Sequence, residues 1–122
     1  MTRILVVDDD PQIRAMLGQI LERAGYDVVL AADGEAACQM FRASPTDIII
    51  TDMVMPEKGG VETIMELRTE FPGVKIIAMS GGGRTGPYGY LKMAERFGAE
   101  KVFSKPLRRE KILEAVRDLV PG

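Results

Sequence analysis

The chain has 122 residues, of which 46% are hydrophobic and 28% are charged, and its formal net charge is −2. This length and composition predict one folded domain over residues 1–122 and exclude a disordered chain, while the slightly acidic balance argues against direct nucleic-acid binding. A single cysteine, Cys38, and the absence of histidine exclude an internal disulfide and a Cys/His metal site.

Apolar runs with strand character alternate with helical patterns along the whole chain. The expected strands are residues 3–7, 26–32, 47–51, 74–79 and 101–104. The first expected helix begins at Pro11 and is ended by Gly25. The other expected helices cover residues 34–43, 61–71, 90–97 and 109–120. This alternation predicts an α/β fold: a doubly wound, five-stranded parallel sheet with helices on both faces.

The helices are expected to be amphipathic, with apolar residues at helical spacing facing the sheet. The inward positions are Ile13, Met16, Leu17, Ile20 and Leu21 in the first helix, and Ile64, Met65 and Leu67 in the third. The glycine-rich stretch of residues 80–89 is expected to be irregular and mobile. A basic signal segment and a long apolar run are both missing, so we expect a cytoplasmic chain that is not inserted in a membrane.

Polar residues follow four of the expected strands. Asp8 and Asp9 follow the first strand, Asp52 the third, Ser80 the fourth and Lys105 the fifth. The carboxyl ends of parallel strands meet at one edge of a sheet, so three carboxylates, a hydroxyl and an ammonium should converge there. Crowded carboxylates suit Mg²⁺, and a carboxylate beside the metal can attack phosphorus while Lys105 and Ser80 hold phosphoryl oxygens.

Taken singly, these residues also fit ordinary structural roles. Asp8 or Asp9 could cap the first helix, although Asp10 stands at the better cap position. Asp52 and Ser80 could be turn residues, and Lys105 a solvated charge.

The chain resembles the receiver domains of bacterial two-component response regulators over almost its whole length. The matching segments are residues 4–10 (ILVVDDD), 52–56 (DMVMP), 78–80 (AMS) and 104–106 (SKP). The resemblance implies a flavodoxin-like fold with strand order 2-1-3-4-5. It also implies that Asp52 accepts a phosphoryl group.

The resemblance further implies roles for the neighbouring residues. Asp9, Asp52 and the backbone carbonyl of Val54 would bind Mg²⁺ (or Mn²⁺) directly, and Asp8 would act mainly through water. Ser80 and Lys105 would contact the phosphoryl group, with a cis bond between Lys105 and Pro106. Val54 and Gly82 would tune hydrolysis of the acyl phosphate.

The implied function is a stand-alone phosphorylation-controlled switch or a phosphorelay carrier, not a multiple-turnover enzyme. Its partners would be a histidine kinase or histidine phosphotransfer protein and a downstream effector, with the chain a monomer or weak homodimer. The alternatives are a small Mg²⁺-dependent phosphatase with an aspartyl-phosphate intermediate and a flavin-binding module of the same topology.

Two features depart from the family pattern. Val102 occupies the position three before the lysine where the family usually has an aromatic residue, and Phe103 is shifted by one. The segment between Ser80 and Lys105 is also longer than usual and rich in glycine. We therefore hypothesise that reordering of residues 81–90 carries the switch.

Overall fold

The computed structural model describes residues 2–53, 60–80, 96, 98–105 and 107–120. Within these residues the elements are β1 (Arg3–Val7), α1 (Pro11–Arg23), β2 (Asp27–Ala31), α2 (Gly34–Ala43), β3 (Ile48–Asp52), α3 (Gly60–Glu70), β4 (Lys75–Ser80), β5 (Lys101–Ser104) and α4 (Arg109–Leu119). The expected irregular stretch after Ser80 and the expected helix over residues 90–97 lie outside the described part, apart from Arg96, which is helical.

The five strands form one parallel sheet in the order β2-β1-β3-β4-β5, which confirms the predicted fold and strand order. The register pairs Val7 of β1 with Thr51 of β3, and Asp52 of β3 with Met79 of β4. Asp52 and Ser80, expected just beyond their strands, are the last residues of β3 and β4. The register therefore places the polar residues at the same edge of the sheet.

Helix starts follow local capping chemistry. The Asp10 side chain accepts a hydrogen bond from the Gln12 amide, and Pro11 occupies the first helical position, where an amide hydrogen would have no helical partner. Asp33 caps α2 in the same way by accepting from the Ala36 amide at 2.8 Å. Gly25, with φ of +97°, provides the left-handed turn that follows α1.

Two apolar layers cover the sheet because alternate strand residues face opposite sides. One layer joins strand residues such as Leu5 and Ile49 to α2 and α3, and its members include Phe41, Ile64 and Leu67. The other joins Ile4, Val6 and Ile50 to α1 and α4, and its members include Leu17, Leu21, Ile112 and Val116. Burial on both faces explains why β1 is apolar after Arg3 and why β3 is apolar up to Ile50.

Two of the residues predicted to face the sheet are exposed instead, so these two predictions are wrong. Met16 in α1 and Met65 in α3 are 40% and 46% exposed. Thr63 is buried in α3 instead. Met16 lies at the margin of the buried face of α1, whereas Met65 lies on the outer face of α3 beside Glu62, Glu66 and Thr69. Apolar character alone therefore misplaced both methionines.

Arg68 ties α3 to the amino ends of β4 and β5. Its guanidinium donates to the Val74 carbonyl at 2.7 Å and to the Glu100 carboxylate at 2.8 Å, and it also donates to the Gly98 carbonyl. Glu100 in turn accepts from the Ile76 amide at 2.6 Å. These hydrogen bonds fix how β5 lies beside β4. They therefore also fix the position of Lys105, which follows β5.

Among the described residues, the helices are too short and too polar for any of them to cross a membrane.

Candidate functional site

Three aspartates meet at the carboxyl edge of the sheet. Asp8 and Asp9 follow β1, and Asp52 ends β3; each offers a carboxylate oxygen within 4.8 Å of the others. Asp8 and Asp52 are buried, whereas Asp9 is exposed. Buried like charges at this separation repel one another strongly unless cations stand among them. The cluster is therefore an acidic pocket that opens to solvent at Asp9.

Lys105 supplies one such cation. Its Nζ lies 2.9 Å from Asp8 Oδ2 and 3.3 Å from Asp52 Oδ2, and its side chain is only 16% exposed. Burial would lower the pKa of this ammonium, but its hydrogen bond to Asp8 and the charge of Asp52 outweigh burial and raise the pKa above its ordinary value. Lys105 therefore stays charged at neutral pH.

The chain delivers Lys105 to the aspartates through the end of the β4–β5 pairing. The Lys105 amide donates to the Ser80 carbonyl at 2.8 Å, which extends the ladder one step beyond Ser104. The Met53 amide likewise donates to the Met79 carbonyl at 2.8 Å. Backbone hydrogen bonds thus hold the residues after β3 and β5 against the end of β4.

Each polar group of Asp8, namely its amide, its carbonyl and both carboxylate oxygens, has a hydrogen-bond or ion-pair partner. Its amide donates to the Ala31 carbonyl at 3.2 Å, and its Oδ1 accepts from the Asp10 amide at 2.9 Å. Its Oδ2 pairs with Lys105, and its carbonyl accepts from Arg14 Nη1 at 2.8 Å. Sequence reasoning missed Arg14, which looks like an ordinary helix-surface residue. Nothing in the sequence pattern marks it, because its contact with the Asp8 carbonyl depends on the guanidinium turning back over the first turn of α1.

Ser80, the last residue of β4, places a buried hydroxyl at the carboxyl edge of the sheet. Its side chain is fully buried, and its Oγ has no hydrogen-bond partner among the described residues. Leaving a buried hydroxyl unpaired costs free energy on the order of 1–3 kcal/mol. A hydroxyl kept in this state beside an acidic pocket is available to an acceptor that enters the site.

The donor set fits a hard divalent cation. Carboxylate oxygens are the ligands that Mg²⁺ prefers, and the exposure of Asp9 leaves room for the waters that Mg²⁺ retains. Since both Asp8 oxygens already contact Lys105 and the Asp10 amide, Asp9 and Asp52 are the better candidates for direct contact. Val54, the other predicted ligand, lies outside the described residues, as do Gly82 and Pro106.

Val102 and Phe103 lie on opposite faces of β5. Val102 packs against the layer of α2 and α3, whereas Phe103 packs against the layer of α1 and α4. A one-residue shift in a strand moves a side chain to the other face of the sheet. Phe103 is therefore on the wrong face to replace the aromatic residue expected at position 102.

Comparisons with known proteins agree with this geometry. The family model described as the response regulator receiver domain matches residues 4–117. Protein CcdB of Bacillus subtilis is 34% identical over 95% of this chain and 95% of its own length. Chemotaxis protein CheY of Thermotoga maritima is 33% identical over 93% of each chain.

Among solved structures, the response regulator TrrA of Thermotoga maritima, in complex with Mg²⁺ and BeF, superposes with a TM-score of 0.88. It is 32% identical to this chain, and the match covers 98% of this chain and 100% of TrrA.

Proposed function

Because the chain belongs to the response regulator receiver domain family, we propose that it is a phosphorylation-controlled switch with Asp52 as the phosphoacceptor. One observation carries this assignment: the Asp52 carboxylate lies 3.3 Å from the Lys105 ammonium and within 4.8 Å of two further carboxylates. An acceptor carboxylate, a cation for the incoming anion and an acidic metal pocket are the parts that phosphoryl transfer to aspartate needs.

Asp9 and Asp52, with the Val54 carbonyl, would hold Mg²⁺ (or Mn²⁺), and Asp8 would act on it through water. The metal would neutralise charge on the transferred phosphoryl group. The solved complex of TrrA with Mg²⁺ and BeF supports this assignment by similarity.

The transfer step uses Asp52 as the nucleophile. A carboxylate oxygen of Asp52 attacks phosphorus and forms the new O–P bond, while the N–P bond of a phosphohistidine donor breaks and its electron pair stays on the imidazole nitrogen. Lys105, which already contacts Asp52, pairs with one phosphoryl oxygen as a compact charge. The buried Ser80 hydroxyl donates to another oxygen and so gains the partner it lacks among the described residues.

The donor would be a histidine kinase or a histidine phosphotransfer protein, and a downstream effector would read the phosphorylated state. Activation would be a shift between two populations, driven by contacts that Ser80 and Lys105 make only with the phosphoryl group. Val102 cannot provide an aromatic switch, which leaves residues 81–90 as our candidate for the moving element. We place the protein in the cytoplasm, as a monomer or weak homodimer.

We propose a stoichiometric switch in preference to the phosphatase alternative. Treatment with acetyl phosphate and Mg²⁺ should add one phosphoryl group to the wild type, as read by intact mass, and none to Asp52→Asn. Asp33→Asn is the matched control, because asparagine caps a helix as well as aspartate does and should leave labelling unchanged.

Two results would contradict the assignment. Equal labelling of Asp52→Asn would exclude Asp52 as the acceptor. Hydrolysis of many equivalents of a small phosphate ester, abolished by Asp52→Asn, would favour the phosphatase.

A further inference from the structure

Arg14 has a contact with the acidic pocket to which no role has yet been assigned. It lies in the first turn of α1, where its amide donates to the Asp10 carbonyl at 3.0 Å. Its guanidinium reaches back over the turn and donates to the Asp8 carbonyl at 2.8 Å, in a partly buried position. β1 ends at Val7, so this carbonyl is beyond the parallel ladder that pairs the strand residues.

The Asp8 carbonyl belongs to the same planar peptide group as the Asp9 amide. Fixing that oxygen therefore fixes the plane from which Asp9 projects. The peptide group on the other side of Asp9 is also held, because the Asp10 amide donates to Asp8 Oδ1 at 2.9 Å. Asp9 thus stands between two anchored peptide groups, and one of the two anchors is Arg14.

This backbone anchoring matters because the Asp9 side chain is exposed and makes no hydrogen bond or ion pair within the described part of the chain. Within residues 2–53, 60–80, 96, 98–105 and 107–120, therefore, no polar side-chain contact holds its carboxylate near Asp8 and Asp52. The backbone does, and the position of the carboxylate within 4.8 Å of the other two depends on it.

We propose that Arg14 is a positioning residue that sets the Asp8–Asp9 peptide and thereby presents Asp9 to the divalent cation. This inference rests on the proposed Mg²⁺ site. Positioning and simple charge predict opposite changes in Mg²⁺ affinity when Arg14 is replaced. Loss of a nearby positive charge would strengthen Mg²⁺ binding, whereas loss of positioning would weaken it.

Calorimetric titration with Mg²⁺ at about 0.15 M ionic strength tests the sign of the effect. Arg14→Gln should weaken Mg²⁺ binding by about tenfold, the lower end of the range for residues that orient metal ligands. Arg14→Lys keeps the charge but not the length and forked geometry of arginine, so it should also bind more weakly than wild type, by a smaller factor.

Arg23→Gln is the matched control. Arg23 is an exposed residue at the end of the same helix, roughly 14 Å along the axis from Arg14, which exceeds the screening length at this salt concentration. Arg23→Gln should leave the affinity for Mg²⁺ unchanged. Affinity equal to or tighter than wild type in Arg14→Gln would overturn the inference while leaving the proposed function intact.

Amide hydrogen exchange in Mg²⁺-free protein provides a second readout that does not depend on the metal. Arg14→Gln should speed exchange at the Asp10 amide, which donates to Asp8 Oδ1, and Arg23→Gln should not; unchanged exchange at the Asp10 amide would also overturn the inference. Failure of the wild type to bind Mg²⁺ would contradict the proposed function instead, and the exchange experiment would still decide whether Arg14 anchors this turn.

Discussion

At the scale of single residues, the site is organised by the pairing of one ammonium with two buried carboxylates. Lys105 lies closer to Asp8 than to Asp52, by 2.9 Å against 3.3 Å. Asp8 is fixed by four polar contacts, so it holds Lys105 in place beside Asp52, the proposed acceptor. Under the proposed function, the site is therefore preorganised on the side that would bind the phosphoryl group.

Removing the ammonium should destabilise the fold as well as impair phosphoryl transfer. Lys105→Met leaves two buried carboxylates without their cation, which should lower the free energy of unfolding by about 3 kcal/mol in Mg²⁺-free urea titrations. Added Mg²⁺ should restore part of that loss, since a bound cation replaces the missing charge.

Lys101→Met is the matched control for this measurement. Lys101 forms an exposed ion pair with Asp118 at 3.4 Å, and loss of such a pair should cost less than about 1 kcal/mol. Equal losses in the two variants would mean that the buried pair contributes no more than a surface pair does.

The main site residues could be predicted from the sequence because each is a polar residue at the end of an apolar run. Asp8, Asp9, Asp52, Ser80 and Lys105 all carry this signal. Arg14 does not, since nothing in a helical pattern shows that a side chain turns back toward a carbonyl. The sequence also could not show that the Ser80 hydroxyl has no hydrogen-bond partner among the described residues, because this depends on what surrounds the side chain in three dimensions.

At the scale of elements, the predicted helices and strands that fall on described residues agree with the observed ones to within about two residues, a spread that is usual for element ends. The helix predicted over residues 90–97 stays a prediction, since only Arg96 of it is described. The best agreement is where local chemistry defines the boundary: Asp10 with Pro11 starts α1, and Asp33 starts α2. The ends of β3 and β4 were placed one residue early. Their last residues are polar, and only pairing with the neighbouring strand shows that they continue the sheet.

The corrected face of α3 predicts a large contrast between two nearby positions. Leu67 is fully buried in the layer between the sheet and α2, so Leu67→Ala should reduce the free energy of unfolding by about 2–5 kcal/mol. Met65 is on the exposed side of α3, so Met65→Ala should change the free energy of unfolding by less than about 0.5 kcal/mol. Urea unfolding followed by circular dichroism measures both, and a larger loss at Met65 would contradict the observed orientation of α3.

At the scale of the whole molecule, the parallel topology creates the site. Asp8 and Lys105 are 97 residues apart in the chain, yet their charged groups are in contact. The order β2-β1-β3-β4-β5 puts β1 and β3 side by side at the centre of the sheet, and parallel strands put all their carboxyl ends at one edge. The alternating sequence pattern predicted this convergence and the kind of chemistry that it permits, whereas the choice of Asp52 as the expected acceptor and of Asp9 and Val54 as expected metal ligands came from the family resemblance.

The central claim is that this edge of the sheet captures a phosphoryl group on Asp52. A crystal structure of the protein with Mg²⁺ and beryllofluoride, which mimics the acyl phosphate, tests it most directly. We expect beryllium on an Asp52 carboxylate oxygen, fluorides within hydrogen-bond distance of Lys105 Nζ and Ser80 Oγ, and Mg²⁺ in contact with Asp9 and Asp52. Beryllofluoride bound to another residue, or an Asp52 that stays unmodified while Lys105 keeps both of its present contacts, would contradict the account.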